Sequence, residues 1–254
     1  MSMKWDSDTY SRDFSFVYKY GEDLIRLLNP KKGMKVLDLG CGTGELTEKL
    51  YEAGAIANGI DASAEQISRA REKFPHICFR QADAVSFAMP EQMDAVFSNA
   101  LFHWIQSDDQ PKMLRSIWNA LKPGGQLVFE MGGSGNNAKI HAALAKAFSA
   151  HGFTYQEPFY FPTIGGYASV LENAGFRVTD MRLFERPTEL TGTGGMAEWI
   201  TMFVQKPFET AFVPEKDRQR IILEAVEMLK PALCRDGVWI ADYVRLRGRC
   251  VKVV

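Results

Sequence analysis

The chain has 254 residues, 46% hydrophobic and 24% charged, with 30 Lys and Arg against 31 Asp and Glu and a formal charge of -1. A chain of this length and composition buries a core without disulfide or metal staples and is not a disordered one. Its near-neutral balance argues against a dedicated nucleic-acid binder, and no apolar run approaches the roughly 18–20 residues that span a bilayer.

The start, Met1-Ser2-Met3-Lys4-Trp5-Asp6-Ser7-Asp8, is polar and acidic, unlike a secretory or Arg-rich targeting segment. Tyr10, Phe14, Phe16 and Tyr18 follow, either as a lid over a ligand or as the packing face of an N-terminal helix. Lys35 to Leu39 reads as a short apolar strand running into Gly40-Cys41-Gly42-Thr43-Gly44. Glu45 to Ala53 reads as a helix with Leu46 and Leu50 on one face and Gly54 as its stop. Ala55 to Ile60 is a second strand, ended by Asp61. Ser63 with Gln66 three residues on forms a capping box that opens a helix to about Lys73. Ile77 to Ala82 is a third strand, ended by Asp83; Asp94 to Ser98 is a fourth, ended by Asn99. Asp109 and Pro111 open a helix that Leu121-Lys122-Pro123-Gly124-Gly125 terminates, and Gln126 to Glu130 is a fifth strand.

Beyond it, Ile140, Leu144 and Phe148 repeat at helical spacing, and Tyr167 to Ala174 is a helix leading into a strand at Phe176 to Phe184. Met196, Trp199, Ile200 and Phe203 form one helical stripe; Pro214 opens another, with Ile222, Val226 and Leu229. A last strand, Val238 to Val254, carries Arg245, Arg247 and Arg249 at alternate positions, read as a solvated face. The cysteines Cys41, Cys78, Cys234 and Cys250 are dispersed without a CxxC pair, as reduced cytoplasmic thiols are.

Strands separated by single helices require right-handed crossovers and a parallel sheet covered on both faces, and continuous apolar strands fit that burial. The expected fold is therefore α/β, a doubly wound, mostly parallel sheet of seven strands. Its core is expected over about 30–131, 166–192 and 237–254, with helical insertions over about 132–165 and 193–236 capping the site.

The glycine loop follows the first strand, where the chain must turn sharply and admit a ligand close to the backbone. A dinucleotide fingerprint would place its third glycine at position 45; here it is Gly44. Asp38 inside the first strand would repel a pyrophosphate and attract a cation. Asp61 ends the strand whose acid accepts hydrogen bonds from ribose hydroxyls. Singly, each acid caps a turn as readily as it binds a ligand. Together with the glycine loop, four strands ending in polar or glycine elements on one rim point to a nucleoside site.

The segments VLDLGCGTG, GIDAS, QADA, DAVFSNALFHW and LKPGGQLVFEMGG, in that order, resemble class I S-adenosylmethionine-dependent methyltransferases. The resemblance covers about Trp5 to Gly133. Within the class, SNALFHW and the later EWI segment look most like the trans-aconitate methyltransferase group and related small-carboxylate methyltransferases. The resemblance implies that S-adenosylmethionine is the cofactor and leaves as S-adenosylhomocysteine. It implies that Asp38 steers toward the cationic end and that Gly40, Gly42 and Gly44 pass beneath the amino-acid and ribose portions. Asp61 then holds the ribose, Ala62 flanks adenine, Asp83 and the Ala84 amide read the adenine edge, and Asn99 lies near the amino-acid end and the reacting methyl; if the N-terminal aromatics form a lid, Tyr10 is its cofactor contact.

No metal-ligand cluster is present, and HExxH, GxSxG and GxxxxGKS are absent. His103 and Trp104 follow the fourth strand. They read either as holding an anionic oxygen acceptor, with the indole N–H a donor only, or as packing residues; His103 alternatively reads as a general base. Asn99-Ala100-Leu101-Phe102 departs from the Asn-Pro-Pro-Tyr type motif of amide and nucleobase methylating relatives. Trp199 and Phe203 roof the acceptor or belong to the core. The leading expectation is methylation of a small-molecule carboxylate on oxygen, with no nucleic-acid or membrane partner. The alternatives are a phenolic, lipid-like or carrier-bound acceptor, or a non-catalytic cofactor-binding regulatory module.

Overall fold

The computed structural model describes residues 16–190 and 194–253, with side chains from residue 21 onward. Tyr10 and Phe14 lie outside the described residues. The described chain opens with α1 (Phe16–Leu28) and β1 (Lys35–Leu39). There follow α2 (Glu45–Glu52), β2 (Ile56–Asp61), α3 (Ala64–Lys73), β3 (Cys78–Gln81) and β4 (Met93–Asn99). Two 3-10 turns, Phe102–Trp104 and Ser107–Asp109, lead to α4 (Gln110–Ala120) and β5 (Leu121–Gly132). The remainder is α5 (Ala138–Ala150), α6 (Ile164–Asn173), β6 (Phe176–Leu190), α7 (Gly195–Phe203), α8 (Gln205–Thr210), α9 (Glu215–Leu233), β7 (Cys234–Arg235) and β8 (Val238–Lys252).

The local chemistry explains these limits. Ser63 caps α3 by accepting from the Gln66 N–H, and Thr163 caps α6 by accepting from the Gly166 N–H, each satisfying one orphan donor of a helix start. Gly54, with φ of +94°, takes the left-handed conformation that ends α2.

The strands form one sheet in the order β3-β2-β1-β4-β5-β8-β6, with β7 paired to β8. β1 to β5 are mutually parallel, while β8 runs antiparallel to β5 and β6. The sheet thus has eight strands where seven were expected. The eighth, β7, is a two-residue arm of a hairpin whose turn is Asp236-Gly237, both with positive φ (50° and 81°). Asp-Gly is favoured in such two-residue turns because their twist matches the flanking strands.

β6 also extends beyond Phe184 to Leu190, through Pro187. A missing N–H is tolerable there because β6 is an edge strand.

Alternation on the strands divides the core. Val36, Ala95, Phe97 and Val128 pack with Leu24 and Leu28 of α1 and Leu46 and Leu50 of α2. Leu37, Leu39, Val96 and Phe129 face the other way, toward Leu114 and Ile117 of α4 and Tyr167 and Leu171 of α6. A separate apolar cluster joins α5, α7, α8 and α9 to Leu190 and Ala241 at the far end of the β6–β8 ribbon. On α9 the buried stripe is Ile221, Ala225, Leu229 and Leu233, so Ile222 and Val226 only edge the cluster. Among the described residues, no helix is long and apolar enough to cross a membrane.

Candidate active site

The order of the sheet reverses at β1, which lies between β2 and β4. Beyond the carboxyl ends of those strands an open α/β sheet leaves a crevice. The glycine loop turns into that crevice, with the Gly40 and Cys41 N–H groups both donating to the Ile60 carbonyl at 2.8 and 3.0 Å.

The three glycines of the loop meet different surroundings. A Cβ on Gly40 would strike Leu101 at 2.9 Å, and one on Gly44 would strike Phe79 at 2.8 Å. A Cβ on Gly42, whose φ is +55°, would meet nothing within 4 Å. Packing therefore demands the outer glycines, whereas the middle one borders open space.

Asp61 borders that space, and Asp38 lies buried within electrostatic reach of it. Asp61 Oδ2 accepts from the Gly42 N–H at 3.0 Å and Oδ1 from the Ser63 N–H at 2.8 Å. The end of β2 and the glycine loop are thereby locked together. Burial raises the Asp61 pKa above the ordinary carboxylate value. Asp38 is more extreme. It is buried beside α2, accepts from Thr47 Oγ1 at 2.6 Å, and burial, reinforced by Asp61 and Glu45, pushes its pKa up to about 7. Burial raises both pKa values, and a cation arriving beside these acids would favour their ionised forms.

Ala62 and Asp83 are exposed on the same rim and Ala84 is buried. Asp83 Oδ1 accepts from the Val85 N–H at 2.9 Å, a local turn, and the Ala62 carbonyl accepts from Gln81 Nε2 at 3.0 Å. Asn99 ends β4, opposite Glu130 of β5.

His103 and Trp104 stand on the 3-10 turn just beyond. His103 is the more buried of the two, 7% exposed, while Trp104 is partly exposed. The Gly132 N–H donates to His103 Nδ1 at 3.2 Å. An N–H cannot accept, so Nδ1 carries no proton and the neutral ring holds its proton on Nε2. Burial first, then the charge of Arg245, holds the His103 pKa well below 6.5. Phe159 and Phe161 stack at 5.3 Å and wall the ring in, each 5.9 Å from it, and Trp104 meets Phe159 edge-on at 4.7 Å.

The row of arginines on β8 is not a solvated face. Arg245 is buried, and Arg247 and Arg249 are half-buried. Glu130, 1% exposed, lies opposite Arg247 in the β5–β8 register and draws the arginines in. Arg247 Nε donates to Oε2 at 2.8 Å, Arg186 Nη2 also donates to Oε2 at 3.0 Å, and Arg186 Nη1 bonds Oε1. Arg245 Nε stands 3.5 Å from Oε1. Burial alone would raise the Glu130 pKa; Arg245, then Arg186 and Arg247, pull it below the ordinary carboxylate value.

The sequence reading passed over this cluster. The available signal was a glutamate inside the apolar run Leu127-Val128-Phe129-Glu130-Met131, and two arginines flanking the buried Leu246 on one strand face.

Trp199 is core. It is 2% exposed, and its Nε1 donates to the Tyr243 hydroxyl at 2.7 Å.

The chain is similar to known methyltransferases. The family described as methyltransferase domain matches residues 36–125, which hold Asp38, the glycine loop, Asp61, Asp83, Asn99, His103 and Trp104. The methyltransferase C70.08c of Schizosaccharomyces pombe is 34% identical over 255 residues, covering 96% of each chain. The trans-aconitate 2-methyltransferase of Mycolicibacterium gilvum is 29% identical over 235 residues, covering 88% of this chain and 89% of that protein. The crystal structure of the YcgJ protein of Bacillus subtilis shares the fold, with a TM-score of 0.63 at 13% identity over 93% of this chain and 99% of that one. A doubly wound sheet, a glycine loop that borders open space and a relative matched along nearly its whole length lead to one family: the chain belongs to the class I S-adenosylmethionine-dependent methyltransferases.

Proposed function

We propose that the enzyme methylates a carboxylate oxygen of a small molecule. S-adenosylmethionine, when bound, would supply a methyl on a sulfonium: a carboxylate oxygen aligned at about 3–3.5 Å would take the methyl, and the neutral thioether would leave with the electron pair of the broken S–C bond. The observation that carries the acceptor class is the state of His103. With Nδ1 occupied by the Gly132 N–H, the ring offers a donor and no free lone pair, so it cannot take a proton from a phenol or alcohol. A carboxylate is already ionised at neutral pH and asks only for donors and orientation. The trans-aconitate 2-methyltransferase relative supports the same class.

In this reading Asp61 holds the ribose hydroxyls and Gly42 leaves the space in which the nucleoside lies. Asp38 faces the cationic end of the cofactor, and Gly40 and Gly44 hold the loop in shape. Ala62 flanks the adenine, while Asp83 and the Ala84 amide read its edge. Asn99 lies by the transferable methyl, and His103 Nε2–H with the Trp104 indole aligns the acceptor oxygen. Phe159 and Phe161 exclude water around that oxygen, which keeps the electrostatics strong.

The test is an acceptor screen that follows S-adenosylhomocysteine release with small carboxylic acids, phenols and amines at pH 7.5. Turnover of carboxylic acids with phenols inert is the expected result; turnover confined to phenols or amines overturns the reading.

A further inference from the structure

Three guanidinium groups surround one buried carboxylate at Glu130, and Asp23, 3.9 Å from Arg247, is the second acid of the cluster, which leaves an excess of one positive charge. A single bidentate arginine already satisfies a carboxylate, and Arg186 provides it. Arg247 is shared between Glu130 and Asp23, which leaves Arg245 in excess, and an uncompensated buried charge is costly.

Their hydrogen bonding is equally incomplete. A guanidinium carries five N–H donors. Among the described residues the Arg245 guanidinium makes no hydrogen bond: it has the 3.5 Å ion pair and the face of Tyr243 at 5.4 Å. Arg247 Nη2 comes within 2.7 Å of Glu130 Oε2 and 3.9 Å of Asp23 Oδ2, but it is buried and makes no hydrogen bond with either.

Arg245 is also held in place. Its aromatic platform, Tyr243, receives the Trp199 N–H at 2.7 Å, so the guanidinium loses little freedom when it binds. About a tenth of its side chain remains accessible.

Its location matters most. Arg245 faces Gly132 across the β5–β8 register, and the Gly132 N–H is the group bonded to His103. Glu130 faces Asn99 across β4–β5. The surplus cation, Arg245, therefore adjoins the end of β4, beside the ring that would align the acceptor.

We infer that Arg245, backed by Arg247, anchors a second carboxylate of the acceptor, one that is not methylated, and so selects acceptors bearing at least two acidic groups. This rests on the carboxylate reading above. It makes Arg245 a specificity-determining residue: the fork takes the remote carboxylate in two parallel hydrogen bonds, while His103 Nε2–H orients the reacting one.

The test titrates S-adenosylhomocysteine-saturated enzyme with tricarballylate, butyrate and inorganic phosphate by calorimetry, for wild type, Arg245→Gln and Arg245→Lys. Wild type is expected to prefer tricarballylate to butyrate. Arg245→Gln is expected to weaken tricarballylate binding roughly ten- to hundredfold, the range for a lost hydrogen bond to a charged group, and to erase the preference over butyrate. The same variant should raise KM for a multiply charged acceptor with kcat and S-adenosylhomocysteine affinity little changed. Arg245→Lys, which keeps the charge opposite Glu130, should fall between the two, and it carries the comparison alone if Arg245→Gln does not fold.

An unchanged preference in Arg245→Gln, or in the lysine variant when it stands alone, overturns the anchor while leaving the carboxylate reading intact. Binding of phosphate with no binding of tricarballylate also overturns it, in favour of a phosphoryl-bearing ligand. A wild-type enzyme that methylates no carboxylic acid at all removes the carboxylate reading and the anchor with it.

Discussion

Asp38→Asn is expected to make the protein more stable and a poorer binder of its cofactor, and the size of the effect follows from the surroundings of the carboxyl. The side chain is 2% exposed, and its pKa moves from the ordinary 3.8 to about 7. Between those values the folded state keeps a proton that the unfolded state has released. The folded state binds more protons, so stability falls as pH rises from about 4 to about 7 and then levels off.

Each tenfold in proton affinity is worth about 1.4 kcal/mol, so the ionised carboxylate withholds on the order of 4 kcal/mol at pH 8. Asparagine never ionises and can still accept from Thr47. At pH 5 most of that cost is absent, and about 3 kcal/mol of the difference between variant and wild type develops between pH 5 and pH 8. Urea unfolding followed by intrinsic fluorescence at both pH values measures it, since the other titrating groups cancel in the comparison.

S-adenosylmethionine affinity supplies the opposite arm. Wild type should bind up to about tenfold more weakly at pH 6 than at pH 8, because the cation needs the ionised form, and Asp38→Asn should bind weakly at both. A stability difference that does not change with pH would refute the raised pKa and the reasoning built on it.

Gly42→Val should fold, losing about 1–2 kcal/mol to the left-handed backbone, and should fail to bind S-adenosylhomocysteine by calorimetry. Normal binding would remove the glycine loop from the cofactor site. His103→Gln retains a donor and should lower kcat/KM for a carboxylic acid by less than about tenfold, whereas His103→Phe should cost roughly ten- to hundredfold. Because burial holds the His103 pKa well below 6.5, kcat at saturating cofactor should show no inflection from this group between pH 6 and 8, which a pH–rate profile checks. Glu130→Gln leaves three arginines without their carboxylate and should destabilise the fold by about 3–5 kcal/mol, read as a fall in Tm by calorimetry; a loss below about 1 kcal/mol would mean the cluster is solvated after all.

The sequence by itself determined the α/β core and its rim. Strand, turn and helix signals there are local: the apolar runs of β1 to β5, the Ser63 cap and the glycine loop each act within a few residues, so order and spacing along the chain place them. Asp61, Asp83 and Asn99 could be read because a parallel sheet puts successive strand ends on one rim, and Asp38 because it is an acid inside the apolar strand that leads into the glycine loop.

Tertiary structure alone decided what depends on antiparallel pairing and distant packing. Arg245 and Arg247 alternate as a solvent-facing row would. Only β8 slotting between β5 and β6 sets them against Glu130, more than a hundred residues earlier in the chain. Ile222 and Val226 fit a helical stripe as well as Ile221 and Ala225 do, and docking of α9 on the other cap helices and the ribbon chose the latter. His103 likewise reads as a base from its residue type. The backbone N–H of Gly132, 29 positions away, is what takes its lone pair and leaves it a donor.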